Sequence, residues 1–97
     1  MNNTTINLTD AQATFSEMIQ NQPIRHFWDW NNVTCRVEDA QKAMKSLSRG
    51  EQMMAEFFIA LWEGDNELSF DLMTAARRLD QKNRNILIDW LEKPFWP

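Results

Sequence analysis

His26 and Cys35 are the one imidazole and the one thiol in a chain of 97 residues. A cysteine nucleophile needs a histidine beside it in space and a third group to orient that base. The sequence supplies neither the adjacency nor the third group, so His26 reads as a structural histidine and Cys35 as a buried thiol. A structural zinc site takes four ligands at set spacing. His26, Asp29 and Cys35 make no such pattern, and no metal or cofactor is expected. With Gly50 and Gly64 as the two glycines, there is no glycine-rich phosphate loop. Pairs such as Glu63 and Asp65 suit general acid–base work only inside a pocket, which nothing in the sequence implies. Enzymatic activity is not expected.

The carboxylates have a more informative pattern. Residues 50–76 hold six of them, Glu51, Glu56, Glu63, Asp65, Glu67 and Asp71, and no lysine or arginine. The same stretch contains the most apolar segment, Met53 to Trp62. A greasy helix is therefore fused to an acidic rim. One reading is a solvated face that keeps the helix soluble. The other is a docking face for a protein with a basic surface, because carboxylates on a rigid scaffold imitate a row of phosphates and steer association.

A basic run follows. Arg77, Arg78, Lys82 and Arg84, interrupted by Asp80, give a net charge of +3 over residues 77–84. They span the junction of two expected helices, which suggests a helix-turn-helix over 77–85. Against this, the turn has no glycine, the chain's net charge is −4, and no second basic cluster exists to hold a duplex. Nucleic acid is the less favoured partner.

Composition bounds the architecture. The length suits one domain over residues 1–97. Five tryptophans and six phenylalanines supply large buried area. Few glycines and prolines, with six methionines, favour helices. The single cysteine suits a reducing compartment, and no secretion signal or membrane span is expected, so the location is read as cytoplasmic. Asn-x-Thr triplets at Asn2, Asn3, Asn7 and Asn32 then read as polar loop chemistry.

The elements that position these residues follow from caps and periodicity. Residues 1–8 read as a frayed start. Thr9 and Gln12 form a capping box for a helix to about Gln20, burying Ala11, Phe15, Met18 and Ile19. Over 24–37 two readings compete. Pro23 opens a short helix carrying Ile24, Phe27 and Trp28, or alternating residues form a hairpin near 25–37 around a two-residue Asn31-Asn32 turn. A helix follows from about Arg36 to Leu47. Ser48 and Glu51 box the central helix, 49–63, whose polar strip is Gln52, Glu56 and Glu63, and Gly64 ends it. Ser69 is read as the cap of a helix from Phe70 to Leu79, with Leu72, Ala75, Ala76 and Leu79 inward. Asp80 caps the last helix, 81–92, burying Ile86, Leu87, Trp90 and Leu91. Pro94 stops it and leaves an aromatic tail, 93–97. Trp28, Trp30, Phe95 and Trp96 read as core or, if exposed, as interface anchors. The fold class is all-α, a single-domain bundle of four to five helices centred on 49–63.

Two stretches taken together carry a resemblance. Glu51 to Phe58 with Leu61-Trp62, and Leu79-Asp80 with Ile88 to Leu91 and Pro94 to Pro97, resemble small uncharacterised proteins carried on bacterial plasmids and prophages. The likeness covers roughly the C-terminal half and assigns no residue a role. It implies a mobile-element setting, where many small acidic proteins bind and inhibit host or defence proteins. The expectation is a non-enzymatic acidic protein-interaction module, an inhibitor or accessory factor for nucleic-acid-handling or defence machinery. The alternative is a weak helix-turn-helix-like DNA-binding regulator.

Overall fold

Side-chain caps set most of the helix starts. The computed structural model describes residues 7–97. Thr9 Oγ1 accepts from the Gln12 backbone N–H at 3.0 Å, and Gln12 Oε1 accepts from the Thr9 N–H at 3.1 Å. This box satisfies donors that a helix start leaves orphaned. Behind it, α1 runs Asp10–Ile19 with Phe15 and Ile19, one turn apart, buried. Of the frayed start expected for 1–8, Asn7 and Leu8 carry no regular structure, and the rest lies outside the described residues.

Both readings of 24–37 hold in part. Pro23–Phe27 is a 3-10 turn with Ile24 and Phe27 buried, since residues three apart eclipse in that helix. Then β1, Trp28–Asp29, pairs antiparallel with β2, Thr34–Cys35, with Trp28 opposite Cys35 and Asp29 opposite Thr34. The connection is the four residues Trp30–Val33, not the two-residue Asn31-Asn32 turn. Asp29 explains the difference. Its Oδ1 accepts the N–H of Asn31 at 3.0 Å and of Asn32 at 3.3 Å, and its Oδ2 accepts from Asn32 Nδ2 at 2.7 Å. The chain therefore rounds an aspartate-centred turn. The left-handed residue is Val33, at φ 52°, a strained position for a β-branched side chain.

The next helix, α2, is Val37–Met44, three residues short of the expected Leu47. Ser46 and Leu47 donate to the carbonyls of Ala43 and Met44, three residues back. The tighter turn ends the helix but keeps Leu47 packed on the core. The Ser48–Glu51 box starts α3, Arg49–Glu63, as expected. Met53, Met54, Ala55, Phe57, Phe58, Ile59 and Leu61 are its buried positions, far more than one amphipathic face holds, so α3 is the element the others wrap. Gly64 ends it at φ 75°, donating to the Ala60 carbonyl at 2.9 Å. A side chain there would meet backbone strain.

Ser69 does not cap α4. Asn66 folds its amide onto Phe70, with Oδ1 accepting the Phe70 N–H at 2.7 Å and Nδ2 donating to the Phe70 carbonyl at 3.1 Å. Both backbone groups of Phe70 are thus engaged in the loop, and Ser69 sits at φ 57°. The helix waits for Asp71, whose carboxylate accepts from the N–H of Met73 and Thr74 and from Thr74 Oγ1. α4 is Leu72–Arg78. Ala75 and Leu79 are buried, whereas Leu72 and Ala76, expected inward, are exposed. Asp80 caps α5, Gln81–Glu92, as expected. Leu87 is buried and Ile86 and Trp90 are half-buried, but Leu91 faces outward.

Among the described residues the chain is a five-helix bundle with one small hairpin. Its core is threaded by aromatic rings. Phe15 meets Trp28 at 5.5 Å, Trp30 at 6.2 Å, Phe58 at 6.0 Å and Trp62 at 5.7 Å. Phe58 meets Phe57 at 5.5 Å, Phe57 meets Trp90 at 5.4 Å, and Trp90 meets Trp96 at 5.6 Å. These are favourable aromatic separations. The tail folds back: Trp90 Nε1 donates to the Phe95 carbonyl at 2.9 Å, and Gln12 Nε2 donates to the Pro97 carbonyl at 3.3 Å.

Candidate interaction surface

The six carboxylates of 50–76 fall into three groups. Glu51 and Asp71 are engaged at helix starts. The Thr74 hydroxyl, then the backbone donors, hold the Asp71 carboxyl below the usual carboxylate range. Glu56 is half-buried on α3, and burial pushes its carboxyl up against the opposing charge of Arg49. Gln52, its neighbour on the expected polar strip, donates from Nε2 to the Leu47 carbonyl at 3.1 Å. Glu63, Asp65 and Glu67 remain exposed and converge. The left-handed turn at Gly64 folds the loop against the helix end, and Asp65 Oδ1 accepts the Glu67 N–H at 3.3 Å. These three line one small recess with Val37 and Gln41 of α2 and Ile59 of α3. Among the described residues none of the six forms an ion pair; the pair present joins Arg36 and Asp39 at 3.5 Å.

An apolar cleft adjoins this acidic end, and sequence reasoning did not anticipate it. It has a volume of about 290 Å³ and lies between α3, the loop after it, α5 and the tail. Phe57, Leu61 and Leu87 form its buried floor, and Leu72, Leu91 and Trp96 its exposed rim. Asp65 is the one charged residue in its wall, and Asp65 also lines the acidic recess. The two features are therefore contiguous. The signal lay in α5, where Ile86, Leu87, Ile88, Trp90 and Leu91 span about 200° of the helix circumference, more than one buried face requires. A broader groove between α1 and α5 carries Asp10, Glu17 and Asp89 but also Lys82 and Lys93, so it presents no single sign of charge.

The basic run is dispersed in role. Arg77, Arg78 and Lys82 are exposed. Arg84 turns back on its own helix start, with Nη1 donating to the Leu79 carbonyl at 2.8 Å and Nη2 to Gln81 Oε1 at 2.8 Å. Arg77 lies close enough to Asp71 for its charge to lower that carboxyl. One guanidinium is thereby engaged in joining α4 to α5, while Arg77, Arg78 and Lys82 stay exposed and outside any ion pair among the described residues.

His26 and Cys35 occupy different surroundings. His26 is exposed with its ring on Phe27 at 4.3 Å. Cys35 is half-buried in β2; burial first, and the nearby Glu63 charge second, push its thiol up to about 12. Such a thiol carries almost no thiolate at neutral pH and makes a poor nucleophile. Among the described residues no group of three or more His, Cys, Asp or Glu side chains is placed to hold a metal ion. Likewise, no described helix is long and apolar enough to cross a membrane.

No protein-family model, curated protein or solved structure matches this chain.

Proposed function

We propose that this protein is a non-catalytic, cytoplasmic interaction module that docks a basic surface of another protein on its acidic end. The observation that carries this reading is the convergence of Glu63, Asp65 and Glu67 on one recess, exposed and without an ion-paired cation among the described residues. Concentrated charge of one sign speeds encounter with an opposite surface and rejects like-charged competitors. An inhibitor or accessory factor of nucleic-acid-handling or defence machinery is the most concrete form, because proteins that hold phosphate backbones present such basic surfaces. The test is affinity capture from the native cells by wild type and by a Glu63→Lys/Asp65→Lys/Glu67→Lys variant, compared at low and moderate salt. The variant is expected to stay folded, as all three side chains are exposed, and to lose its basic partner. A folded variant that retains the same partner at undiminished affinity overturns the reading.

A further inference from the structure

We propose that the apolar cleft beside the acidic recess is the anchoring socket for an amphipathic helix with basic flanks, contributed by another protein. This rests on the protein-interaction reading above and adds where the partner's apolar side chains go. Among the described residues the exposed large apolar side chains are Leu72 at 46%, Met73 at 76%, Ile88 at 46%, Leu91 at 51% and Trp96 at 62% exposure. All five belong to α4, α5 and the tail, the segments around this one cleft, and three of them line it. Exposed apolar groups gathered at one cleft, as Leu72, Leu91 and Trp96 are, mark a surface suited to a covering partner. The cleft's volume of about 290 Å³ is enough for one large apolar side chain and part of a second. Exposed tryptophan at the rim of such a socket is the residue type that dominates interface energetics.

Charge decides the occupant. Asp65 stands in the cleft wall, and Glu63 and Glu67 lie beyond it around the adjoining acidic recess. A helix laying leucine or aromatic anchors into the cleft at i, i+3 or i+4 and i+7 would carry its flanking residues over these carboxylates. Lysine or arginine there is attracted, glutamate repelled. The same carboxylates disfavour a second copy of this chain, since a two-fold pairing centred on the cleft brings the acidic ends of both copies together. They also disfavour an anionic lipid surface.

The probes are two synthetic amphipathic peptides of about four helical turns. They share a Leu/Trp face and differ in carrying lysines or glutamates on the other. Each is titrated into isotope-labelled full-length protein and followed by NMR. The lysine peptide is expected to move the indole resonances of Trp90 and Trp96 and the amides of Leu72 and Leu91 saturably, and the glutamate peptide to bind at least about tenfold more weakly. Leu91→Glu and Trp96→Ala, both at exposed positions, are expected to leave a cooperative unfolding transition while weakening the lysine peptide at least about tenfold, as loss of an apolar interface contact does. Three results overturn the proposal: no saturable binding of the lysine peptide up to about 1 mM, shifts confined to the α1–α5 groove, or a dimer abolished by Trp96→Ala. If the Glu63/Asp65/Glu67 reversal abolishes binding while Leu91→Glu does not, the acidic docking reading stands and the socket falls. If Leu91→Glu abolishes binding and the reversal does not, the socket stands and the charge-steered reading falls.

Discussion

At the residue scale, burial separates groups that look alike in sequence. Cys35 has its thiol pushed to about 12 from an ordinary 9.0, so its alkylation by iodoacetamide at pH 8 is expected to run about two to three orders of magnitude slower in the folded chain than in denaturant. Alkylation at the rate of an unfolded cysteine would show the thiol to be unshielded. Glu56 is the instructive carboxylate. Burial raises its folded pKa above 4.5, so the folded state holds the proton more tightly than the unfolded one. Its contribution favours folding below the unfolded pKa and is lost as pH rises through the folded one. Glu56→Gln removes that loss, so the variant is expected to gain on wild type as pH climbs from 4 to 7, modestly, because much of the side chain remains in water. Denaturation midpoints across that range check it. Asp71 runs the other way. Its hydrogen bonds lower its pKa, so its stabilisation is present above the ordinary aspartate value and fades as pH falls through the lowered one.

At the element scale, legibility followed local chemistry. The starts of α1, α3 and α5 were readable because Thr9, Ser48 and Asp80 cap backbone donors within their own next turn. The start of α4 was not, because Ser69 and Asp71 are both good caps, and the choice between them rests on Asn66 engaging Phe70 across a loop. Asp71→Ala is therefore expected to destabilise the fold by the loss of a helix cap, and Ser69→Ala, which touches no helix N–H, far less. Equal costs in urea unfolding would restore the serine cap. Periodicity found α3 as the core but overfilled α4 and α5. It places Leu72 and Leu91 on an inward face wherever a neighbour exists, and no described neighbour covers that side. The acidic cluster was legible as composition. Its division was not, since only the fold shows Glu51 and Asp71 engaged in capping and Glu63, Asp65 and Glu67 brought together past Gly64. Phe58, fully buried against Phe15 and Phe57, is expected to cost about 3–5 kcal/mol on truncation to alanine. A midpoint near wild type would deny α3 its central place.

At the scale of the whole molecule, acidic recess and apolar cleft lie side by side, and each makes a different kinetic demand. Reversing Glu63 and Glu67 is expected to slow association and flatten its salt dependence, whereas changing Leu91 or Trp96 is expected to speed dissociation. Stopped-flow mixing with the partner or the lysine peptide separates the two, and a charge reversal acting only on dissociation contradicts the steering role. The run of rings from Trp30 through Phe15, Phe58, Phe57 and Trp90 to Trp96 has an optical consequence. The chain has five tryptophans and no tyrosine, so its near-ultraviolet absorption and emission belong to indoles. Of the five indoles Trp96 is the exposed one, and it lies 5.6 Å from Trp90, close enough to take up that neighbour's excitation and emit from a water-relaxed state. The colour of the emitted light thereby gauges hydration at the mouth of the cleft: a guest that dries Trp96 turns the fluorescence blue, with no label attached.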